Sequence, residues 1–195
     1  VGAHQWAIEI ANILREKGFK VAMIDSNRDN ISRANMKNIT SCYGNVLSEQ
    51  VFNEINLEGI GKLVALTSND EANSLAVLHY NDVFSREELY QLHPGTKSQD
   101  KRQSFSIQHL HGRFLFGKDI TFNYLSKRFF SGAVIKSTKL TREFDYEAFL
   151  SYYGEEAIPL FCITEDKKLF VLTTDQEIEL KPGMILISLV DDKNE

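Results

Sequence analysis

Positive charge is scarce in this chain. Its 195 residues hold 22 Lys and Arg against 27 Asp and Glu, for a net charge of −5. No cationic excess is available to displace counterions from a phosphate backbone, which argues against nucleic acid as a partner. The same balance disfavours adsorption to anionic lipid. Long apolar runs are also missing. The longest, Ala157-Ile158-Pro159-Leu160-Phe161-Cys162-Ile163, is strand-sized, and a membrane-spanning helix needs roughly 18 residues, so no direct membrane insertion by this segment is expected. Cysteine is nearly absent. Cys42 and Cys162 lie far apart, each in an apolar, strand-like run, and are expected as buried free thiols suited to a reducing compartment, a single disulfide being the alternative. No Cys/His cluster has metal-site spacing, and the lone His109-x-His111 pair reads as solvated loop or strand neighbours. Catalytic patterns are missing too. The chain has no G-x-S-x-G, no phosphate-loop lysine and no His/Asp or Tyr/Lys pairing suited to hydride transfer.

What is present begins at the first residues. Gly2 opens a glycine turn that runs straight into a helical pattern over 5–17, where Trp6, Ala7, Ile10, Ala11 and Leu14 share a stripe and Gly18 stops it. The run Val21-Ala22-Met23-Ile24 then ends in Asp25. A strand, a glycine turn, a helix, a second strand and a terminal acid compose the dinucleotide-binding βαβ unit. Its first strand is represented by Val1 alone, the pattern expected of a piece of a longer chain.

The alternation continues. A short polar helix is expected over 28–37, a strand at 41–43 closed by Gly44-Asn45, and a helix capped by Ser48. The run 62–66 is another buried strand, followed by a helix to about Val83 and a strand over 88–92. Nearly continuous apolar strands at short βα spacing predict a parallel, doubly wound sheet. The segment 93–106 reads as a polar loop, 113–116 as a short strand, and 119–130 as an aromatic helix carrying Phe122, Leu125, Phe129 and Phe130. That stripe serves either a dimer contact or the cover of its own sheet. From Ala133 on, a strand, a short helix over 145–152 and strands at 157–163, 168–172, 177–180 and 184–190 predict a small α+β module. The predicted fold is therefore α/β: a Rossmann-like doubly wound parallel sheet over 1–131, then the α+β module over 132–195.

The candidate site lies at the carboxyl ends of the strands. Gly2 and Ala3 make the turn, and the helix start at His4 and Gln5 offers unpaired N–H groups to phosphate. The second glycine of the pattern is replaced by His4, which either crowds a pyrophosphate or touches it; Ala7 fills the third place. Asp25, with Ser26 and Asn27 after it, can accept hydrogen bonds from ribose hydroxyls and would repel a 2′-phosphate, favouring NAD- or AMP-like ligands over NADP-like ones. The alternative for Asp25 is a solvated strand end capping the next helix. Gly44, Asn45 and Val46 would lie near the adenine edge. Thr67, Ser68 and Asn69 end the fourth strand in the same crevice, and Asn69 or Asp70 is equally a helix cap. A nucleotide held with nothing to react is a sensor's arrangement.

Together Gly2-Ala3-x-x-x-Ala7, Ile24-Asp25, Gly44-Asn45 and Thr67-x-x-Asp70-x-x-Asn73 resemble the regulator-of-potassium-conductance family, also called TrkA-N or KTN domains. Asn45 departs from the Asp usual there. The tail, notably Tyr152-Tyr153-Gly154-Glu155-x-Ala157-Ile158-Pro159-Leu160, is similar to the C-terminal module in the cytoplasmic tail of bacterial cation:proton antiporters. The resemblance implies a non-enzymatic regulatory domain binding NAD(H), AMP, ADP or ATP. It further implies a homodimer attached to a membrane-embedded transport domain of the same polypeptide, at the cytoplasmic face of the inner membrane. The alternatives are a K⁺-channel or K⁺-uptake gating domain, and an NAD-dependent oxidoreductase fragment.

Overall fold

The computed structural model describes residues 1–95 and 111–192. They fall into two compact units, Val1–Arg113 with Thr121–Asn123, and Phe114–Ile120 with Tyr124–Glu195.

In the first unit the order is α1 (Gln5–Glu16), β1 (Ala22–Asp25), α2 (Arg28–Met36), β2 (Thr40–Tyr43), α3 (Glu49–Glu54), β3 (Leu63–Ala65), α4 (Asp70–His79) and β4 (Leu89–Gln91). The periodicity of α1 becomes its buried stripe of Trp6, Ala7, Ile10, Ala11 and Leu14. Gly18 ends it at φ +91°, with its N–H on Arg15 O at 2.9 Å, a left-handed turn that glycine adopts without steric cost. Strands β1 and β2 pair in parallel, Ala22 against Thr40 through Asp25 against Tyr43. Strands β3 and β4 also pair in parallel, Leu63 against Leu89.

Val1 and Gly2 join these two pairs. Gly2 N–H donates to Ile24 O at 2.8 Å, and Val1 O accepts from Leu66 N–H at 2.9 Å. The parallel order across the unit is thus β2, β1, the Val1–Gly2 backbone, β3, β4. Strand order reverses at Gly2, the kind of switch point at which α/β folds form their ligand crevice. Beneath it, Ile24, Val51, Leu63, Ala65, Val77 and Tyr80 belong to one buried core.

The second unit is antiparallel. After β5 (Arg113–Phe114), where the units divide, come α5 (Phe122–Phe130), β6 (Ala133–Lys139), α6 (Tyr146–Tyr153), β7 (Ile158–Ile163), β8 (Leu169–Val171) and β9 (Ile185–Asp191). The sheet order is β6-β9-β7-β8. Its register shifts between Pro159 and Phe161 of β7, where proline has no N–H to donate to a ladder. Asp145 Oδ1 caps α6 by accepting from Ala148 N–H at 2.9 Å. Fully buried Phe149 carries that helix into a core with Leu140, Cys162 and Leu186. Arg128 of α5 reaches Asp191 at 2.8 Å and the Glu156 carbonyl at 2.9 Å.

Parallel βα units followed by an antiparallel sheet with helices are the α/β-then-α+β arrangement read from the sequence. One strand is a correction: 177–180 is not a strand. The chain turns at the isolated bridge between Thr173 and Gln176. The Ile178/Leu180 alternation instead marks side-chain burial, Leu180 packing against the core of the unit. The two cysteines are free thiols; Cys162 is buried, whereas Cys42 is only half-buried, its Sγ–H directed at Glu54 Oε2 at 3.7 Å.

Candidate functional site

Five chain segments at the carboxyl side of the first unit's sheet line a cleft of about 370 Å³. Gly2, His4, Asp25, Ser26, Gly44, Asn45, Val46, Thr67, Ser68 and Asn69 all line it. Ala3, Gln5 and Asn27 do not. Ala3 is buried behind the turn and Gln5 points to solvent, while Asn27 caps α2 by accepting from Asp29 N–H at 2.8 Å. Val1, Ile24, Asn30, Ala72 and Phe122, outside the expected site residues, complete the lining.

Glycine is required at the turn. Gly2 has φ +90°, and a Cβ there would stand 3.2 Å from the Leu66 carbonyl carbon. Gly44, at φ +154°, would drive a Cβ to 2.4 Å from Val51 Cγ2. Both glycines let the chain reverse tightly over the sheet edge.

Asp25 is the centre of the site. Its Oδ2 accepts from Ala3 N–H at 2.6 Å and from Asn30 Nδ2 at 3.0 Å, and its Oδ1 accepts from Asn27 N–H at 2.8 Å. A carboxylate offers about four lone-pair directions, so Oδ1 retains capacity for one further donor, such as a ribose hydroxyl. The acid thereby locks the glycine turn to the end of β1 and still presents an acceptor to the cleft.

Helix α1 supplies the complementary element. Asn27, Ser48, Asn69 and Asp145 cap α2, α3, α4 and α6 with their side chains, whereas His4 at the start of α1 makes no such cap. An uncapped helix start directs amide dipoles outward and favours an anion.

The His4 ring is fixed. Its Nε2 lies 2.7 Å from Leu66 O, and because a carbonyl only accepts, Nε2 carries the proton. The ring centroid lies 4.0 Å from that of Trp6 and 4.9 Å, edge-on, from that of Phe122. Burial drives its pKa down to about 4, with the Leu66 carbonyl and the Asp25 charge acting in the opposite direction. His4 is therefore neutral at pH 7. A depressed pKa has a defined linkage: between about 6.5 and about 4 the unfolded chain binds the proton and the folded chain does not, so stability falls as pH falls through that window. Acidification from about pH 7 to about pH 5 is expected to lower Tm by several degrees more in the wild type than in His4→Gln, whose amide can still donate to Leu66 O without titrating. Melting curves at both pH values check this difference.

The β3–α4 loop is closed from within. Asn73 is fully buried. Its Oδ1 accepts from Thr67 N–H at 2.9 Å and Thr67 Oγ1 at 2.7 Å, and its Nδ2 donates to Thr67 O at 3.0 Å. Asn69 caps α4 through Ala72 N–H at 2.9 Å, and Asp70 Oδ2 accepts from Gly95 N–H at 3.1 Å. The spacing Thr67-x-x-Asp70-x-x-Asn73 is thus a loop-locking device. Asn45 does similar work at the next strand end, its Oδ1 accepting from Leu47 N–H at 3.0 Å.

Residues 1–91 match the family described as the TrkA-N domain. Residues 1–91 are a TrkA-N domain. No curated protein matches the chain. A solved structure described as "Crystal Structure of the GsuK RCK domain" is similar at 13% identity and a TM-score of 0.31, over 88% of this chain and 44% of that one. The chain therefore spans less than half of that protein's length.

Among the described residues, no Lys or Arg lines the TrkA-N cleft, and no group of His, Cys, Asp and Glu could hold a metal ion. His109 lies outside the described residues; His111 Nδ1 lies 3.2 Å from Ser74 Oγ. No described helix is long and apolar enough to cross a membrane.

Proposed function

We propose that this chain is a regulatory domain of a potassium or related monovalent cation transport system, and that its TrkA-N cleft binds NAD(H) or an adenine nucleotide without reacting with it. The observation that carries this reading is Asp25. Its carboxylate ties the Gly2 turn to the end of β1 and keeps an acceptor direction free beside an uncapped helix start. The TrkA-N match supports the same reading.

The finer assignment is a Na⁺(K⁺)/H⁺ antiporter, with this chain at the cytoplasmic face of the membrane and joined to a transport domain. It is favoured by the Tyr152–Leu160 run, which forms the end of α6, the Gly154 turn at φ +91° and the start of β7. A K⁺-channel or K⁺-uptake gating domain is the second reading. Homodimerisation through α5 fits the exposure of Phe130, 85% accessible at the end of that helix. Regulation then works by linkage. A ligand that binds one arrangement better than another shifts activity by that difference in affinity, typically about 1–3 kcal/mol.

The test is cation flux through vesicles carrying the intact transporter. Adenine nucleotides or NAD(H) are expected to change the flux several-fold. Identical flux with and without every one of them would remove the regulatory assignment.

A further inference from the structure

The geometry points to a narrower ligand class for this cleft: an adenine nucleoside or mononucleotide rather than a pyrophosphate-bridged dinucleotide, with His4 as the residue that sets the preference. This rests on the nucleotide reading above and deepens it.

His4 occupies the place where the dinucleotide pattern has its second glycine, which lets the backbone approach a pyrophosphate. His4 lines the cleft, and its ring is held on three sides, by Leu66 O at Nε2, by Trp6 and by Phe122. Rotating it away would break the hydrogen bond and both ring contacts.

Proton count matters as much as volume. With Nε2–H committed to Leu66 O, the other nitrogen offers a lone pair. That Nδ1 is buried and without a hydrogen-bond partner among the described residues. The ring therefore has no second N–H to donate to a phosphate oxygen.

Charge points the same way. Among the described residues lining the cleft, Asp25 is the one acid and no Lys or Arg balances it. A single phosphate can be held by the amide end of α1. The extra phosphate of ADP would bring further negative charge towards Asp25 with no Lys or Arg among the described lining residues to receive it. The NAD⁺ pyrophosphate instead carries about the charge of the AMP monoester and is disfavoured by the space His4 takes. The volume of about 370 Å³ also lies near the lower end of the roughly 300–1,000 Å³ typical of small-molecule sites.

Calorimetric titration of the chain with adenosine, AMP, ADP and NAD⁺ tests this, repeated with His4→Gly and His4→Ala. The wild type is expected to bind AMP at least tenfold more tightly than NAD⁺. Both variants are expected to narrow that gap tenfold or more, by gaining NAD⁺ affinity while keeping AMP. Wild-type NAD⁺ affinity equal to that for AMP would overturn the inference. So would an unchanged gap in variants that still bind AMP. If either variant fails to fold, the wild-type ratio decides alone. Binding of none of the four by the wild type would overturn the nucleotide reading itself, and this inference with it.

Discussion

Replacing Asn73 by alanine is expected to destabilise the TrkA-N domain by about 3 kcal/mol. The reason is the number of groups that one buried amide satisfies. Thr67 N–H, Thr67 O and the Thr67 hydroxyl all bond to it, at 2.9, 3.0 and 2.7 Å. A buried polar group left unpaired costs about 1–3 kcal/mol, and the loss here includes two backbone groups. The hydroxyl is partly compensated, because Thr67 Oγ1 also lies 3.1 Å from Asn69 O. Asn69→Ala removes only the α4 cap, for which about 1 kcal/mol is typical. Urea denaturation of both variants should therefore rank Asn73→Ala well below Asn69→Ala in midpoint. The reverse order would show that the loop is held by something other than the Asn73 amide.

The second large effect is on binding. Asp25→Ala is expected to weaken affinity for an adenosine ligand by about 10- to 100-fold, since a hydrogen bond to a charged group contributes about 1.5–3 kcal/mol. Asparagine is not a conservative replacement at this position. Ala3 N–H and Asn27 N–H both donate to the carboxylate, one to each oxygen. An amide would set its own NH₂ against one of them. Asp25→Asn is thus expected to lose affinity as well, and to lose stability through a donor facing a donor. Calorimetry reports the affinity and urea unfolding reports the fold. Unchanged affinity in a folded Asp25→Ala would remove Asp25 from the site.

Much of the cleft's lining is legible in the sequence, for a physical reason. Gly2, Asp25, Gly44 and Thr67 are punctuation residues at the ends of apolar runs. In a parallel sheet such ends converge on one edge. Their roles were less legible than their positions. The Thr67, Asp70 and Asn73 spacing is visible in the sequence, but only the complete burial of Asn73 shows that it closes the loop from beneath. The sequence leaves His4 open between crowding and touching a pyrophosphate. The hydrogen bond to Leu66 O, 62 positions away, decides which nitrogen carries the proton, and no local pattern encodes a partner so distant.

Asn30 and Phe122 carry no sequence signal as site residues, for different reasons. Asn30 lies on the polar helix α2 among other polar residues, and nothing in its spacing marks it as a partner for Asp25. Phe122 belongs to an aromatic stripe whose period serves a core or an interface equally well. Its contact with the His4 ring joins residues more than a hundred positions apart. The absent strand at 177–180 has a related cause. Alternating side chains record which face is buried, and burial needs no ladder partner.

The claim at the centre is that the cleft above Gly2 takes up an adenosine moiety through the Asp25 carboxylate and the start of α1. Its most direct test is a melting curve of the chain with AMP titrated to saturation. A ligand bound only by the folded state at about 100 times its Kd adds about 2.7 kcal/mol of stability, and the expected result is a concentration-dependent rise in Tm that Asp25→Ala abolishes. A melting temperature that stays flat at millimolar AMP, adenosine and NAD⁺ alike would contradict it.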